Sequence, residues 1–304
     1  MEALEFKVEK ETAGIRIDRF LADKCGDVSR SYLQKLLKEQ QITVNQKVVK
    51  ANHKVQEGES VRLLLPEMKE PDILPEEIPL DILYEDDYLL VVNKPKGMVV
   101  HPSAGHTQGT LVNAVLAHCR GNLSGINGVL RPGIVHRIDK DTTGALLICK
   151  EDTVHQNLAG QLKEHSMKRR YRAIVHGKLK EEEGTIEEPI GRHPIDRKKM
   201  AVNHNNGKDA VTHYRVLERF GNETYVECRL ETGRTHQIRV HMASIGHPLL
   251  GDGVYGSGRN PYHLEGQALH AMVLGFVHPK TGEYLEFQAP LPEYFLKLLD
   301  KLRK

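Results

Sequence analysis

Residues 132–150 have the sequence PGIVHRIDKDTTGALLICK, in which a charged segment lies between two apolar ones. Ile134 and Val135 form the apolar approach, and Gly144 ends the turn that leads into an apolar strand. Charged side chains between two strand-like runs indicate a loop on a rigid scaffold, where functional sites tend to lie. A surface turn with salt bridges would produce the same pattern, which by itself slightly favours that simpler interpretation.

A second segment with concentrated charge is ETGRTHQIRVHM, residues 231–242. A strand runs into Gly233, and a helix is predicted to begin near Thr235, with Arg234 and Arg239 on either side of its start. The free N–H groups at a helix start favour anions, and arginine is suited to holding a carboxylate or a phosphate. Helix capping with exposed arginines is the alternative.

The segment MKRRYRAIVHG, residues 167–177, combines an aromatic residue with cations. Tyr171 alternates with Ala173 and Val175, so these side chains share one face of a predicted strand. Four cations flank the tyrosine: Lys168, Arg169, Arg170 and Arg172. An aromatic ring among cations suits base stacking combined with phosphate contact, although a buried core tyrosine is the commoner outcome for a single residue.

The sequence from residue 81 to residue 304 predicts more strand than helix. Strand-like segments fall at 82–92, 145–150, 171–177, 211–218, 225–231 and 270–276. Helices are predicted at 110–119, 152–165, 236–245 and 292–303. These elements do not alternate as βαβ units, which favours an α+β fold with a mixed or antiparallel sheet.

A proline-rich acidic stretch divides the chain. Four prolines fall within the 14 residues from Pro66 to Pro79, which disfavours both a helix and a central strand. Residues 66–90 carry one Lys or Arg against nine Asp or Glu, whereas the segments before and after are net basic. We therefore predict a domain over 1–65, an acidic linker over 66–80 and a second domain over 81–304.

The small N-terminal domain is predicted to contain two helices followed by a hairpin. The pattern is helical over 17–25 and 33–37, turns at Asn45–Gln46 and closes with a strand over 61–65. Residues 16–54 carry nine Lys or Arg against four Asp or Glu, which fits either a small α/β packing module or an RNA-binding module. The arrangement resembles the S4 RNA-binding domain. Candidate RNA-binding side chains on its basic helical face are Arg30, Lys35 and Lys38.

Composition bounds the class of protein. With 304 residues, 39% of them hydrophobic, the chain is too apolar for a disordered protein and long enough for one sizeable core with a small accessory domain. No run approaches the roughly 20 apolar residues of a membrane span, and the mixed, acidic N-terminus is unlike a secretory signal. The four cysteines form no C-x-x-C pair, so we expect a reduced, cytoplasmic protein.

The common cofactor and metal motifs are missing from the sequence. The chain has neither G-x-G-x-x-G nor G-x-x-x-x-G-K-[ST], the patterns of nucleotide binding. It also lacks H-E-x-x-H, Cys/His clusters with zinc spacing and the G-x-S-x-G turn of serine hydrolases. We therefore expect no cofactor and no metal, with the chemistry carried by ordinary side chains.

The charged segments together resemble the pseudouridine synthases of the RluA/RluD type. The central motif of that family, H-R-L-D-x-x-T-S-G, corresponds to HRIDKDTTG at 136–144, with Ile138 and Thr143 as mild departures. The N-K-P-x-G, Y-x-A-x-V, G-R-T/S-H-Q-L/I-R-V-H-M, H-P-L-L-G-D and L-H-A elements match 93–97, 171–175, 233–242, 247–252 and 269–271. The resemblance covers nearly the whole chain and implies the pseudouridine synthase fold, with a mixed or antiparallel sheet, beside a small S4-like α/β domain.

The resemblance also implies roles for single residues. Asp139 corresponds to the catalytic aspartate of the family, and Arg239 corresponds to its ion-pair partner. Tyr171 corresponds to the tyrosine that stacks on the flipped uracil, and Arg137 to the arginine that fills the gap in the RNA stack. Two further RNA-binding candidates lie beside them: His136 and Arg234.

The implied activity is isomerisation of uridine to pseudouridine in structured RNA, by base flipping and an aspartate-dependent mechanism. The S4-like domain and acidic linker are similar to the RluD subgroup, which implies a stem-loop of large-subunit (23S) ribosomal RNA, free or within an assembling subunit. A synthase acting on transfer RNA is an alternative. Another is a non-catalytic RNA-binding or ribosome-assembly protein, which would need neither Asp139 nor Arg239. A hydrolase using His136 and Asp139 is disfavoured, because neither a nucleophile elbow nor a metal set accompanies them.

Overall fold

The computed structural model describes residues 2–25, 30–65, 73–102, 105–120, 122–125, 132–196, 199–256, 258 and 260–304. The chain divides into two compact units, Met1–Glu70 and Pro71–Lys304, called here the N-terminal and the C-terminal unit. No helix among the described residues is long and apolar enough to cross a membrane.

In the N-terminal unit, two helices pack on a small antiparallel sheet. Its elements are β1 (Glu2–Lys7), α1 (Ile17–Lys24), α2 (Arg30–Lys38), β2 (Ile42–Val44), β3 (Lys47–Val48) and β4 (Ser60–Leu65). The described strands lie in the order β1-β4-β2-β3. Phe20 and Leu36, from the two helices, are buried in its own apolar core. Asn45 and Gln46 both have positive φ, 47° and 64°, the geometry of a tight hairpin turn.

The C-terminal unit contains most of the secondary structure. Its strands are β5 (Ile82–Glu85), β6 (Leu89–Lys94), β7 (Thr143–Cys149), β8 (Lys168–His176), β9 (Glu183–Glu187), β10 (Ile190–Arg192), β11 (Met200–Val202), β12 (Val211–Arg219), β13 (Glu223–Leu230), β14 (Leu269–Val277) and β15 (Tyr284–Gln288). Its helices are α3 (Leu111–His118), α4 (Asp152–Lys163), α5 (Gln237–Ser244) and α6 (Glu293–Leu302). All four predicted helices are present, each slightly shorter than predicted.

Within the described residues, nine strands form one mixed sheet. Their order is β5-β6-β7-β14-β8-β13-β12-β9, and β15 pairs with the second half of β14. The pairing of β7 with β14 is parallel, and the other pairings in this sheet are antiparallel. The predicted α+β class with a mixed sheet is confirmed.

Gly144 allows β7 to approach β14 closely. It has a φ of +112°, and a Cβ at this position would lie 2.2 Å from the carbonyl oxygen of Ala271. Only glycine adopts this conformation without strain. The glycine that ends the HRIDKDTTG segment therefore fixes where the preceding loop meets the sheet.

The central sheet has an apolar core on each face. Leu146 and Ile148 of β7 point into one core, where Tyr171, Ala173 and Val175 also lie. Ala145, Leu147 and Cys149 belong to the other core, which includes α4. The predicted shared face of Tyr171, Ala173 and Val175 is therefore observed, and it is the face that carries the candidate site.

Part of the predicted acidic linker lies on the C-terminal unit. Residues 66–72 are outside the described residues, but Ile73 and Leu80 pack against the core that contains Tyr171. The side-chain amide of Asn113 on α3 donates to the carbonyl of Leu74 at 2.8 Å. The stretch from 73 to 80 is therefore held to the unit that follows it.

Candidate active site

A chain of ion pairs joins Asp139 to α5. Arg239 lies on α5 and is 6% exposed, and its Nη1 donates to Oδ2 of Asp139 at 2.9 Å. Nε and Nη2 of the same guanidinium donate to the two carboxylate oxygens of Asp252 at 2.7 and 2.9 Å. The predicted arginine-held carboxylate is thus present, and a second carboxylate holds the arginine.

Asp252 is the fixed end of this chain. Its side chain is fully buried and accepts the backbone N–H groups of Val254 and Tyr255 at 2.9 and 3.1 Å. Burial works to raise the pKa of Asp252, but the hydrogen bonds and charge of Arg239, with those two N–H groups, bring it below its ordinary value. Burial likewise disfavours the Arg239 cation, yet the two carboxylates raise its pKa above the ordinary value.

The buried side chain of Lys94 anchors the loop that carries Asp139. This lysine is 1% exposed, and its Nζ donates to the carbonyls of Pro95, Met98 and Lys140 at 2.8 to 2.9 Å. Burial lowers the pKa of Lys94 to about 7, against the opposing negative charges of the loop. The N-K-P-x-G element therefore fixes the backbone next to Asp139.

Tyr171 and Asp139 line one small cavity. The cavity also exposes Arg137, Arg234 and Arg239, with the apolar walls Ile138, Leu230, Ile238 and Leu269. Tyr171 is 9% exposed, and burial raises its pKa, so the phenol is neutral near pH 7. Five predicted residues from three segments of the sequence thus line one small cavity: Arg137, Asp139, Tyr171, Arg234 and Arg239.

Comparison with known proteins identifies the family. The family model for RNA pseudouridylate synthase matches residues 88–244, and the S4 domain model matches residues 15–61. The chain belongs to the RNA pseudouridylate synthase family. It is an RNA pseudouridine synthase, an isomerase of uridine in RNA, as the resemblance implied.

Relatives of known sequence cover the whole length of this synthase. An uncharacterized RNA pseudouridine synthase of Bacillus subtilis is 54% identical over 304 residues, covering 100% of this chain and 99% of the relative. Ribosomal large subunit pseudouridine synthase D of Zymomonas mobilis is 46% identical, covering 96% of this chain and 95% of the relative. Among solved structures, Human RNA Pseudouridylate Synthase Domain Containing 1 has a TM-score of 0.57 and 26% identity, covering 75% of this chain and 96% of that one.

His236 is a residue of the candidate site that the sequence analysis did not assign. It precedes α5 with a φ of +58°, an uncommon conformation for a histidine. Its Nε2 lies 3.8 Å from Oδ1 of Asp139, and its Nδ1 lies 2.8 Å from the hydroxyl of Tyr255. That hydroxyl also accepts the N–H of Met200 at 2.9 Å, so Tyr255 links His236 to the backbone of β11.

Burial is the main cause of the neutral state of His236. It lowers the pKa of the imidazole, and the charge of Asp139 opposes that shift only in part. The signal for His236 was its place in the G-R-T-H-Q element, and the signal for Asp252 was the H-P-L-L-G-D element. Tyr255 lies in no element that the sequence analysis quoted.

Gln237 builds the turn that presents His236. Its side-chain oxygen accepts the hydroxyl of Thr232 at 2.7 Å and the N–H of Arg234 at 2.9 Å. Its amide nitrogen donates to the carbonyl of Val211 and the hydroxyl of Thr212, both at 3.0 Å. The start of α5 is thereby tied to β12.

The other predicted RNA-binding residues lie in different surroundings. Arg137 borders the mouth of the cavity, and Nε of Arg234 donates to the carbonyl of Asp209. Nε2 of His136 accepts the N–H of Leu147 at 3.0 Å, and burial, together with the nearby Arg169, lowers its pKa to about 3. Contact between these residues and RNA stays a prediction.

In the N-terminal unit, Lys38 is exposed at the end of α2. Arg30 and Lys35 also belong to α2, but their side chains lie outside the described part of the chain. Among the described residues, no three His, Cys, Asp or Glu side chains cluster so as to hold a metal ion.

The cations around Tyr171 are not all on its face, because side chains alternate along a strand. Arg169 shares the side of Tyr171 and lines the adjoining groove. On the opposite side, Lys168 pairs with Glu286 at 2.6 Å, and Arg172 pairs with Glu227 at 2.8 Å. The expectation of four cations around one aromatic ring is therefore wrong for the even-numbered positions.

Proposed function

We propose that this synthase isomerises uridine in a stem-loop of large-subunit ribosomal RNA, with Asp139 as its catalytic residue. The observation that supports the catalytic role is the pair of Asp139 with the buried Arg239, in a cavity that Tyr171 also lines. The support for the RNA class is the similarity to proteins named ribosomal large subunit pseudouridine synthase D at 44 to 46% identity.

The reaction breaks the N1–C1′ bond of uridine and forms a C5–C1′ bond, while C5 loses a proton and N1 gains one. The base must first leave the RNA stack, which costs a few kcal/mol and is cheapest in a loop. Arg137, at the mouth of the cavity, offers a flat guanidinium that replaces part of the lost stacking. Inside the cavity, the neutral ring of Tyr171 offers a stacking surface for the flipped uracil.

Asp139 is placed to act on the base or the sugar. Its side chain is 18% exposed, whereas that of Asp252 is fully buried. Arg239 compensates the charge of Asp139 where the carboxylate borders the cavity. A carboxylate in this position can attack C1′ of the sugar, attack C6 of uracil or remove a proton. Nε2 of His236 lies 3.8 Å from Oδ1, the oxygen of Asp139 that Arg239 does not bind.

The two units have different parts in this proposal. Residues 1–65 form an S4-like RNA-binding domain that recruits the ribosomal RNA, and the C-terminal unit, on which residues 73–80 pack, catalyses the reaction. The match to the S4 domain model at 15–61 supports the first role. Deleting residues 1–65 should raise KM for ribosomal RNA and leave kcat at saturating RNA within about threefold. Unchanged KM would contradict the recruiting role.

The test of the whole proposal is tritium release from RNA that carries 5-tritiated uridine. Ribosomal RNA and transfer RNA are assayed separately with the wild type, Asp139→Asn and the control Asp300→Asn, whose side chain is exposed on α6. We expect release from ribosomal RNA by the wild type and the control. In Asp139→Asn we expect the rate of release to fall by roughly 10²–10⁴-fold. Release from transfer RNA alone would overturn the RNA class, and undiminished release by Asp139→Asn would overturn the catalytic assignment.

A further inference from the structure

A groove of about 580 Å³ opens beside the catalytic cavity. It runs between the end of α4, the start of β8 and the loop at 233–234. It shares Arg137, Tyr171 and Arg234 with the catalytic cavity, so a chain lying in the groove continues directly into the active site.

The wall of this groove is positively charged. Besides Arg137 and Arg234 it includes Lys163 and Arg169. None of the described residues that line it carries a carboxylate. A concave surface with one sign of charge concentrates ligands of the opposite sign, so the groove suits an anion longer than one phosphate.

Arg169 is the deepest of these cations. It is 6% exposed, and it forms no ion pair with a carboxylate of the described residues. Its Nη2 donates to the backbone carbonyl of Glu231 at 2.7 Å, while its buried Nε has no hydrogen-bond partner within the part of the chain that the structure describes. The carboxylate of Glu231 is occupied by His213, at 2.6 Å. A buried guanidinium with an unused donor and no counter-ion is costly unless an anion completes it.

Gly233 makes room for this guanidinium. A Cβ at position 233 would lie 2.6 Å from Nη1 of Arg169, so a larger residue would displace the arginine from the groove wall. The carbonyl of Glu231 also accepts Nδ1–H of His165 at 2.6 Å. The backbone carbonyl of Glu231 thus binds two side chains of the groove, Arg169 and His165.

We propose that this groove binds the phosphodiester backbone of the RNA strand next to the flipped uridine. Arg169 is the buried anchor for a phosphate, and Lys163 holds the strand at the outer end of the groove. This inference rests on the proposed function in one respect: the RNA strand in the groove is the strand that contains the target uridine. It adds a second binding site to the synthase, which continues into the catalytic cavity through the shared residues Arg137, Tyr171 and Arg234.

The direct test is binding of a single-stranded oligouridylate, a dodecamer, to the full chain as a function of KCl concentration. All proteins carry Asp139→Asn, so that the probe is bound but not converted. We expect Lys163→Glu to weaken binding at least about tenfold and to reduce the slope of log affinity against log salt by about 1. The matched control is Lys180→Glu, an exposed lysine beyond the other end of β8, which should bind within about twofold of the parent. Equal binding by the Lys163 and Lys180 variants would overturn the proposal.

Two variants of Arg169 separate its charge from its packing. Arg169→Lys keeps the cation and should bind more tightly than Arg169→Gln, with an unchanged circular dichroism spectrum in both. If Arg169→Gln does not fold, the Lys163 comparison decides alone.

Turnover on ribosomal RNA distinguishes failure of this inference from failure of the proposed function. In the active background, Lys163→Glu should raise KM about tenfold and leave kcat unchanged. A wild type that releases tritium while Lys163→Glu keeps the normal KM and affinity would overturn the groove and leave the function standing. A wild type without turnover, whose binding is weakened by Lys163→Glu alone, would overturn the function and leave the groove standing.

Discussion

Asp252 occupies two of the donors of the Arg239 guanidinium, Nε and Nη2, at 2.7 and 2.9 Å. This leaves Nη1 for Asp139. The two carboxylates are therefore unequal partners, since Asp252 is fully buried and Asp139 borders the cavity. Asp252 fixes the arginine, and Asp139 is left accessible from the cavity.

This inequality predicts different stability effects for two chemically identical substitutions. Asp252→Asn leaves a buried arginine without its main partner, and we expect a loss of about 3–5 kcal/mol in the free energy of unfolding. Asp139→Asn retains the Asp252 pair, and we expect a loss below about 1 kcal/mol. Urea denaturation followed by circular dichroism measures both. Equal losses would show that the arginine is not held mainly by Asp252.

Tyr171 should act mainly through its ring. Tyr171→Phe keeps the aromatic face and should keep kcat/KM within about tenfold of the wild type. Tyr171→Leu loses stacking worth about 1–3 kcal/mol, which corresponds to a loss of roughly 5- to 150-fold. Tritium release at low RNA concentration measures kcat/KM for each. If Phe and Leu were equally impaired, the hydroxyl, and not the stacking surface, would be the feature that matters.

Gly144 tests the contact between β7 and β14, and Gly160 serves as its control. Gly144→Ala places a methyl group 2.2 Å from the carbonyl oxygen of Ala271 and should cost about 1–3 kcal/mol or more. Gly160 lies within α4, and a Cβ there has no neighbour within 4 Å, so Gly160→Ala should stabilise by about 0.5–1 kcal/mol. Thermal unfolding with both variants checks the signs. A Gly144→Ala protein as stable as the wild type would contradict the close approach.

His136 should make stability depend on pH. Its pKa is about 3 in the folded protein, against an ordinary value of 6.5. Below pH 6.5 the unfolded chain therefore binds a proton on this histidine, whereas the folded protein does not. The contribution of His136 to the free energy of unfolding is complete above pH 6.5 and is lost as the pH falls. Between pH 7 and pH 5 we expect the wild type to lose about 1–2 kcal/mol more than His136→Gln. Parallel stability curves for the two proteins would exclude this origin.

Much of the fold follows from local patterns, because burial on one face sets the spacing of apolar residues. The strands that contain Tyr171 and Cys228 were predicted in this way, as were the four helices of the C-terminal unit. β9 and β15, with the sequences EGTIE and YLEFQ, were missed because they are short, partly exposed strands in which exposed residues alternate with more buried ones. Their pairing comes from neighbouring strands and not from their own sequence.

The site was predictable only in part. The Asp139–Arg239 pair joins positions 100 residues apart, and no periodicity specifies such a contact; the family resemblance implied it. Asp252 and His236 lie in segments that were quoted, but their contacts depend on the loop after α5 and on a positive φ. Arg169 needed the strand register, which decides which of the four cations near Tyr171 faces the groove.

The parallel pairing of β7 with β14 bears on when the enzyme becomes competent. Thr143 and His270 hydrogen-bond at 2.8 Å across 127 residues of sequence, and closing such a long loop is slow relative to local folding. During synthesis, the Asp139 loop leaves the ribosome well before the strand on which it rests. We infer that a nascent chain cannot modify RNA until β14 has emerged, so that the catalytic centre matures among the last parts of the molecule.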